Sequence, residues 1–232
     1  MGPIDHSLTY KTRCWRNIPH RYRLKQLVDI IAGLSEHDIS QWCYADFGCS
    51  NGYVTNLLTE RFHFRETYGF DHNLENLSIA MRNYPNIKFE VLDLSTLGLP
   101  SGRYELVSCF ETLEHVGNPS NALRNLLDST KPGGILLISV PLEIGFWGMV
   151  KFVAKTFLHR SSFAELQGAS RLKYTIALLT GQRVSVFREI RNGWGTHFGF
   201  DYREIEDMLE MHEVDYRAFN RFTTRFYVVT KK

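Results

Sequence analysis

The stretch Asp46-Phe-Gly-Cys-Ser-Asn-Gly52 decides the fold of this chain. It follows a short apolar run at 42–45 and precedes an amphipathic stretch at 53–62, which is the layout of a strand, a tight turn and a helix. Gly48 and Gly52 let the backbone turn sharply and approach a ligand closely. The start of the following helix offers free N–H groups and a partial positive charge. The stretch therefore predicts a turn that binds a nucleotide-like cofactor carrying a carboxylate.

Size and composition predict one soluble globular domain with an insertion. The chain has 232 residues, of which 44% are hydrophobic and 22% charged. No apolar run reaches the roughly 18 residues of a membrane span, and no apolar secretory signal is visible at the N-terminus. The four cysteines lack paired spacing, so we expect reduced thiols and a cytoplasmic location. The formal charge of +2 gives no indication of a nucleic-acid partner. The sequence does not indicate an oligomeric state.

Strands alternate with helices along the chain, which predicts a mostly parallel, doubly wound sheet of the α/β class. The pattern predicts an N-terminal helical segment at 1–40, a core at 41–141, a helical insertion at 142–192 and the rest of the core at 193–232. The predicted strands lie at 42–47, 66–70, 87–92, 104–110, 135–140, 214–220 and 224–230, and the predicted helices at 20–34, 53–62, 73–83, 118–130, 163–179 and 202–211.

Candidate ligand-binding residues stand at the ends of four successive strands, where an open α/β sheet binds its ligands. The glycine turn follows the first strand. Asp71 ends the second, 19 residues past Gly52, where a carboxylate binds two ribose hydroxyls. Asp93 and Leu94 end the third strand, in position for an adenine amino group and ring, and Phe110 ends the fourth. Each acid taken alone is equally explained as a helix cap, whereas the combination indicates a ligand site.

These motifs give the chain its resemblance to the class I S-adenosylmethionine (SAM)-dependent methyltransferases, over residues 40–141 and 194–230. The resemblance implies a Rossmann-like, seven-stranded sheet with helices on both faces and an antiparallel last strand. Ser50 stands where the family usually has glycine. The matching motifs are DFGCSNG (46–52), YGFDHN (68–73), FEVLDLS (89–95), YELVSCFETLEHVGNP (104–119) and LDSTKPGGILLISVP (127–141).

The resemblance also implies how SAM, and its product S-adenosylhomocysteine, would be held. Arg21 or Arg23 either reaches the cofactor carboxylate or lies on a solvated helix face. The implied cofactor residues are Asp46, Gly48 and Gly52 for the methionine part, Asp71 for the ribose, Asp93 and Leu94 for the adenine, and Phe110 near the methionine part. Ser50 and His72 are further candidate cofactor-binding residues.

The segment from Glu111 to His115 follows the fourth strand, where a methyl acceptor would approach. SAM carries an activated methyl group, so the protein mainly aligns an acceptor and provides a base for its proton. Histidine is the commonest base because its pKa lies near neutrality. Glu114, His115 and the distant His197 are therefore the candidate catalytic residues.

The same segment permits a metal site. Glu111, Glu114 and His115 share one side of a helical turn and could bind a divalent cation, with His197 as a further ligand. This pattern looks like two subfamilies, the O-methyltransferases of ubiquinone biosynthesis and the metal-dependent 2′-O-methyltransferases that cap small-RNA 3′ ends. In the alternative without metal, Glu114 and His115 orient the loop by hydrogen bonds, His115 is the base and His197 is a packed loop residue.

The insertion is basic, with eight Lys/Arg against three acidic residues over 142–191. Its apolar segment 144–160 predicts a lid helix, a peripheral contact with the inner membrane surface, or a dimer contact. The leading functional hypothesis is methyl transfer from SAM to a hydroxyl of a small, lipid-linked, glycan-linked or quinone-like acceptor. The alternatives are a metal-dependent RNA 2′-O-methyltransferase and a non-catalytic SAM-binding accessory protein.

Overall fold

The protein is described from a computed structural model. Within the described residues, no helix is both long enough and apolar enough to cross a bilayer. Most of the predicted segment 144–160, half of the helix predicted at 163–179, and His197 lie outside the described residues. The structure describes residues 10, 17–34, 38–96, 101–145, 148–150, 171–188, 190–191, 194–195 and 199–232.

The described strands are β1 (Cys43–Phe47), β2 (Glu66–Asp71), β3 (Lys88–Val91), β4 (Tyr104–Phe110), β5 (Thr130–Pro141), β6 (Ile190–Arg191), β7 (Trp194–Gly195), β8 (Asp215–Arg221) and β9 (Thr224–Thr230). The central sheet contains seven of them in the order β3-β2-β1-β4-β5-β9-β8. β9 runs antiparallel to both neighbours and the strands from β3 to β5 pair in parallel, which confirms the predicted topology. The short pair β6–β7, which was not predicted, forms a separate two-stranded sheet.

The helices begin where the sequence provides caps. Asn73 accepts a hydrogen bond from the N–H of Asn76 at 3.0 Å, and Asn118 accepts one from the N–H of Asn121 at 3.0 Å. Proline stands in the first turn of two helices, where a backbone N–H would have no acceptor within the helix, so proline loses no hydrogen bond there. The described α-helices are α1 (Ile18–Ala32), α2 (Tyr53–Phe62), α3 (Leu74–Asn83), α4 (Pro119–Ser129), α5 (Arg171–Thr180) and α6 (Arg203–Met211).

β5 is longer than predicted. The sequence Lys131-Pro-Gly-Gly134 predicts a turn before a strand that starts at Ile135, but the strand starts at Thr130. Thr130 pairs with Tyr104, and an irregularity in register follows before the regular ladder. The backbone of this glycine segment also exchanges hydrogen bonds with Lys231, at 2.8 and 3.0 Å. These long-range bonds keep the segment in the sheet.

Helices cover both faces of the sheet, and alternate side chains of each strand enter separate cores. On one face, Phe47 and Tyr104 pack in a cluster with residues of α4 and α6. On the other, Tyr44 packs with Ile31 of α1 and Leu58 of α2. Burial on both faces explains why β1 is apolar throughout apart from Asp46. The loops that follow β1 to β5 therefore meet at one edge, which carries the candidate site.

Candidate functional site

The loop after β1 folds back on the end of β2. The N–H groups of Gly48 and Cys49 both donate to the carbonyl oxygen of Phe70, at 2.7 and 3.0 Å. Gly48, Ser50 and Gly52 have φ angles of +83°, +51° and +72°, in the left-handed region that glycine adopts at little cost. A Cβ atom on Gly48 would lie 2.2 Å from Thr112 Oγ1. Glycine at this position therefore lets the loop after β1 meet the loop after β4.

Asp71 connects β2 to this turn. One of its carboxylate oxygens accepts the N–H of Ser50 at 2.8 Å, and the other accepts the N–H of Asn73 at 2.9 Å. A carboxylate offers about four acceptor sites, so capacity remains for two hydroxyls of a ribose. His72 is half exposed, and its Nδ1 lies 3.4 Å from Asp71 Oδ1. Asn76 Nδ2 donates to Ser50 Oγ at 3.1 Å and braces the turn.

Asp46 lies buried beneath the turn. It accepts hydrogen bonds from Thr55 Oγ1 at 2.6 Å and Ser108 Oγ at 2.7 Å. Burial raises the pKa of Asp46 to about 6, although both hydrogen bonds act in the opposite direction. At neutral pH the side chain is therefore a buried negative charge, which suits the ammonium group of a bound methionine moiety.

The two residues predicted to contact adenine, Asp93 and Leu94, lie at the same edge as Phe110, which is predicted near the methionine part. Asp93 is exposed and accepts the N–H of Ser95 at 2.9 Å. Leu94 is buried in the core, and its carbonyl oxygen accepts a hydrogen bond from Asn125 Nδ2 at 2.8 Å. Phe110 is partly buried at the end of β4. Their contacts with the cofactor stay predictions.

An ion pair links α1 to the loop after β4. Arg23 Nη1 lies 2.5 Å from Glu111 Oε2, and the two side chains are only 11% and 21% exposed. Glu111 has a φ of +49°, a conformation that non-glycine residues rarely adopt. Arg21 is exposed, as expected for a solvated helix face, whereas Arg23 is directed into the site. Arg23 lies four residues before buried Leu27, so the helical spacing places both side chains on the same face of α1.

Glu114 is completely buried, and among the described residues neither of its carboxylate oxygens has a hydrogen-bond partner. Burial raises the pKa of Glu114 well above its ordinary value, and the neighbouring Glu111 adds to the effect. His115 Nε2 lies 4.0 Å from Glu114 Oε1, too far for a direct hydrogen bond. The two side chains are therefore neighbours without a direct hydrogen bond between them.

Arg188 supports this loop from the opposite side. Its guanidinium donates to the carbonyl oxygens of Glu114 at 2.9 Å and Val116 at 3.4 Å. It also lies over the ring of Phe200 and 3.8 Å from a carboxylate oxygen of Glu204. Its side chain is 7% exposed, and burial lowers its pKa. Sequence reasoning missed Arg188 because no local pattern indicates a contact with a loop 72 to 74 residues away.

The described residues do not provide a metal centre. They contain no group of three or more His, Cys, Asp or Glu side chains arranged to hold an ion. The guanidinium of Arg23 already lies against Glu111, the first of the predicted ligands. Because His197 lies outside the described residues, the complete four-ligand set stays a prediction.

This fold, with its glycine turn and strand-end acids, is the fold of the class I SAM-dependent methyltransferases. A sequence profile described as a methyltransferase domain matches residues 18–204, and the chain belongs to that family. The close approach at Gly48, the acceptor capacity of Asp71 and the charge of Asp46 fit SAM.

Curated relatives match the chain in part. A ubiquinone biosynthesis O-methyltransferase of Rickettsia bellii is 32% identical over 126 residues, which cover 53% of this chain and 52% of that protein. A trans-aconitate 2-methyltransferase of an Acidovorax strain is 29% identical over 96 residues, covering 41% of this chain and 37% of that protein. The chain thus spans about half or less of the length of these relatives.

Solved structures share the fold over nearly the whole chain. A protein from Pyrococcus horikoshii superposes with a TM-score of 0.62 and 13% identity, covering 97% of this chain and 96% of the other. Magnesium protoporphyrin IX methyltransferase from Synechocystis, solved with bound S-adenosylhomocysteine, superposes with a TM-score of 0.61 and 14% identity, covering 93% of this chain and 85% of the other. At these identities the likeness concerns the fold alone.

Proposed function

We propose that the protein transfers the methyl group of SAM to a hydroxyl group of a small acceptor, with His115 as the general base. The observation that carries the proposal is the position of the loop from Glu111 to His115. This loop packs against the cofactor turn at Gly48 and follows the strand next to β1. The ubiquinone biosynthesis relatives, whose name states O-methylation, support the choice of a hydroxyl.

SAM, when bound, supplies a methyl group on a sulfonium centre that needs no further activation. The turn around Gly48 and the carboxylate of Asp71 orient the cofactor, and the loop after β4 forms the wall that faces the acceptor. His115 is partly exposed beside buried Glu114, so its imidazole is accessible to an acceptor. It would accept the hydroxyl proton as the methyl–oxygen bond forms and the methyl–sulfur bond breaks, which leaves a neutral ether on the acceptor and S-adenosylhomocysteine as the leaving group.

The experiment measures S-adenosylhomocysteine formation from SAM with a panel of phenols, catechols, sugars and amines. We expect turnover with a hydroxyl acceptor, and a loss of about 10²–10⁴-fold in kcat for His115→Ala with unchanged S-adenosylhomocysteine affinity. His212→Ala, at the exposed end of α6, is the matched control and should retain full activity. Methylation of amines alone, or full activity of His115→Ala, would contradict the proposal.

A chelator added to the same assay tests the metal alternative. The Arg23–Glu111 ion pair supports a metal-independent reaction, because it already places a cation on the first predicted ligand. We therefore expect activity to survive excess EDTA. Loss of activity with EDTA and recovery with Mg²⁺ or Mn²⁺ would instead favour the four-ligand site that includes His197.

We further propose that the insertion contacts an anionic membrane surface. Leu172, Ile176 and Leu179 form an exposed apolar strip on α5, next to the exposed Lys173. The net positive charge of the insertion complements anionic lipid.

We expect the protein to sediment with phosphatidylglycerol vesicles, and the double substitution Leu172→Ser with Leu179→Ser to abolish this binding. Met211→Ser, at an exposed apolar side chain of α6, is the control. Binding unaffected by the double substitution would contradict the proposal.

A further inference from the structure

The candidate base His115 ends a tight turn that starts beside the cofactor loop. The N–H of His115 donates to the carbonyl oxygen of Thr112 at 2.8 Å, which closes a turn over 112–115. A Cβ atom on Gly48 would lie 2.2 Å from Thr112 Oγ1, so the first residue of the turn lies directly against the cofactor loop. The side chain of His115, at the other end of the turn, is 32% exposed. The direction of its imidazole therefore depends on how the backbone around it is held.

Arg188 holds that backbone on both sides of His115. Its Nη2 atom donates to the carbonyl oxygen of Glu114 at 2.9 Å and to that of Val116 at 3.4 Å. Glu114 and Val116 are the residues immediately before and after His115 in the chain. A single guanidinium nitrogen thus bridges the carbonyl groups of the two residues that flank the candidate base, and these charge-assisted bonds restrict the backbone of His115.

The charge of Glu114 does not explain this arrangement. The Glu114 side chain is completely buried, yet among the described residues neither of its carboxylate oxygens receives a hydrogen bond. An arginine that neutralises a carboxylate donates to the carboxylate oxygens, frequently through two parallel bonds. Arg188 instead donates to the backbone carbonyl oxygen of the same residue. Its contacts therefore fix the shape of the loop rather than pair with the buried acid.

The guanidinium of Arg188 is itself held in place. Its side chain is almost completely buried, and its Nη1 atom lies 3.8 Å from Glu204 Oε2. The guanidinium carbon lies 5.4 Å from the centre of the Phe200 ring. A Cβ atom on Gly199 would lie 2.5 Å from the backbone nitrogen of Arg188, so glycine lets the chain that leads into Phe200 pass close to Arg188. A planar guanidinium held by a ring and a carboxylate is a rigid support for the two carbonyl groups.

We infer that Arg188 is a positioning residue for methyl transfer, which directs the imidazole of His115 toward the acceptor by holding the carbonyl groups on either side of it. The inference rests on the proposed role of His115 as the base. Arg188 lies near the end of the insertion and His115 lies in the core, so the guanidinium links these two parts of the chain. Arg188 holds the His115 end of the turn, whereas the Thr112 end meets the cofactor loop. Replacing Arg188 should therefore lower kcat and leave the affinity for S-adenosylhomocysteine unchanged.

A double-mutant cycle in kcat distinguishes this role from general support of the fold. Transfer from methyl-labelled SAM is measured with the hydroxyl acceptor that turns over fastest among the phenols, catechols and sugars. Arg188→Lys keeps the charge but lacks the planar fork, and we expect it to lower kcat about 10- to 100-fold. In the His115→Ala background, which lacks the base to be positioned, the same substitution should lower kcat less than about twofold. Arg183→Lys, at an exposed arginine, is the control and should change kcat in neither background.

Glu204→Gln is a second variant, which leaves the guanidinium in place. It removes the negative charge 3.8 Å from Arg188 Nη1, so we expect a loss in kcat of about threefold to fivefold that also disappears in the His115→Ala background. Glu210→Gln, exposed on the same helix, is its control. Calorimetry with S-adenosylhomocysteine should give the parent affinity for every variant, which also shows that each variant is folded.

Equal losses with and without His115, or an unchanged kcat for Arg188→Lys, would overturn the inference and leave the proposed function standing. If Arg188→Lys fails to bind S-adenosylhomocysteine, the cycle with Glu204→Gln decides by the same comparison of losses. Full activity of His115→Ala, or no turnover with any hydroxyl acceptor, would contradict the proposed function itself, and the inference would fall with it.

Discussion

The cofactor edge and the acceptor edge of the cleft are built in different ways. At the cofactor edge, between Asp46 and Asn73, both buried carboxylates accept hydrogen bonds from the protein itself. Asp46 accepts them from two hydroxyl groups, and Asp71 accepts them from two backbone N–H groups. At the acceptor edge, buried Glu114 lacks hydrogen-bond partners among the described residues, and Arg188 supports its loop from far along the chain. The first edge is therefore preorganised by its own hydrogen bonds, whereas the second keeps a buried carboxyl group that lacks such bonds among the described residues.

The largest expected effect is a loss of stability at the acceptor edge, measured by comparing Arg188→Met with Arg183→Met. Arg188→Met leaves the carbonyls of Glu114 and Val116 and the carboxylate of Glu204 without their cation. We expect the free energy of unfolding to fall by about 3–5 kcal/mol, measured by urea denaturation. Arg183→Met, which removes an exposed ion pair to Asp207, should cost less than about 1 kcal/mol. Equal costs would show that the acceptor edge does not depend on its buried cation.

A second pair of variants tests the contact between the edges. Gly48→Ala introduces a Cβ atom against Thr112 at a positive φ, so we expect a loss of about 2–4 kcal/mol in stability and much weaker binding of S-adenosylhomocysteine. Gly133→Ala also has a positive φ but meets nothing within 4 Å. It should cost only about 1–2 kcal/mol and leave binding intact. Normal cofactor binding by Gly48→Ala would refute the close approach of the two loops.

The pH dependence of stability tests the buried charge at the cofactor edge. The pKa of Asp46 is about 6 in the folded protein against an ordinary value of 3.8. The native state therefore binds more protons than the unfolded state, and its stability falls as pH rises from about 4 to 6. Asp46→Asn should remove this decline and add roughly 2–3 kcal/mol at pH 7, while weakening cofactor binding. The check is urea denaturation from pH 4 to 8. A variant with the same pH profile as the parent would contradict the assignment.

Sequence patterns predicted the turn after β1 and the acids at the strand ends because these features depend on local sequence. The glycine turn, the acids at strand ends and the caps of α3 and α4 each depend on residues close in sequence. The acceptor edge depends on contacts such as Arg23 with Glu111 and Arg188 with Glu114, which no local pattern specifies. The early start of β5 was also missed because it depends on a contact distant in sequence: Lys231 exchanges hydrogen bonds with the first part of the strand.

The most direct test is a calorimetric titration of S-adenosylhomocysteine into the parent chain, Asp71→Ala and Glu75→Ala. Asp71 accepts two backbone N–H groups in the turn and has capacity for the ribose, whereas Glu75 is exposed on α3. The account predicts saturable binding by the parent and by Glu75→Ala, and affinity at least about a hundredfold lower for Asp71→Ala, because hydrogen bonds to a charged group are lost. Equal affinity in all three proteins would contradict a cofactor site at this edge of the sheet.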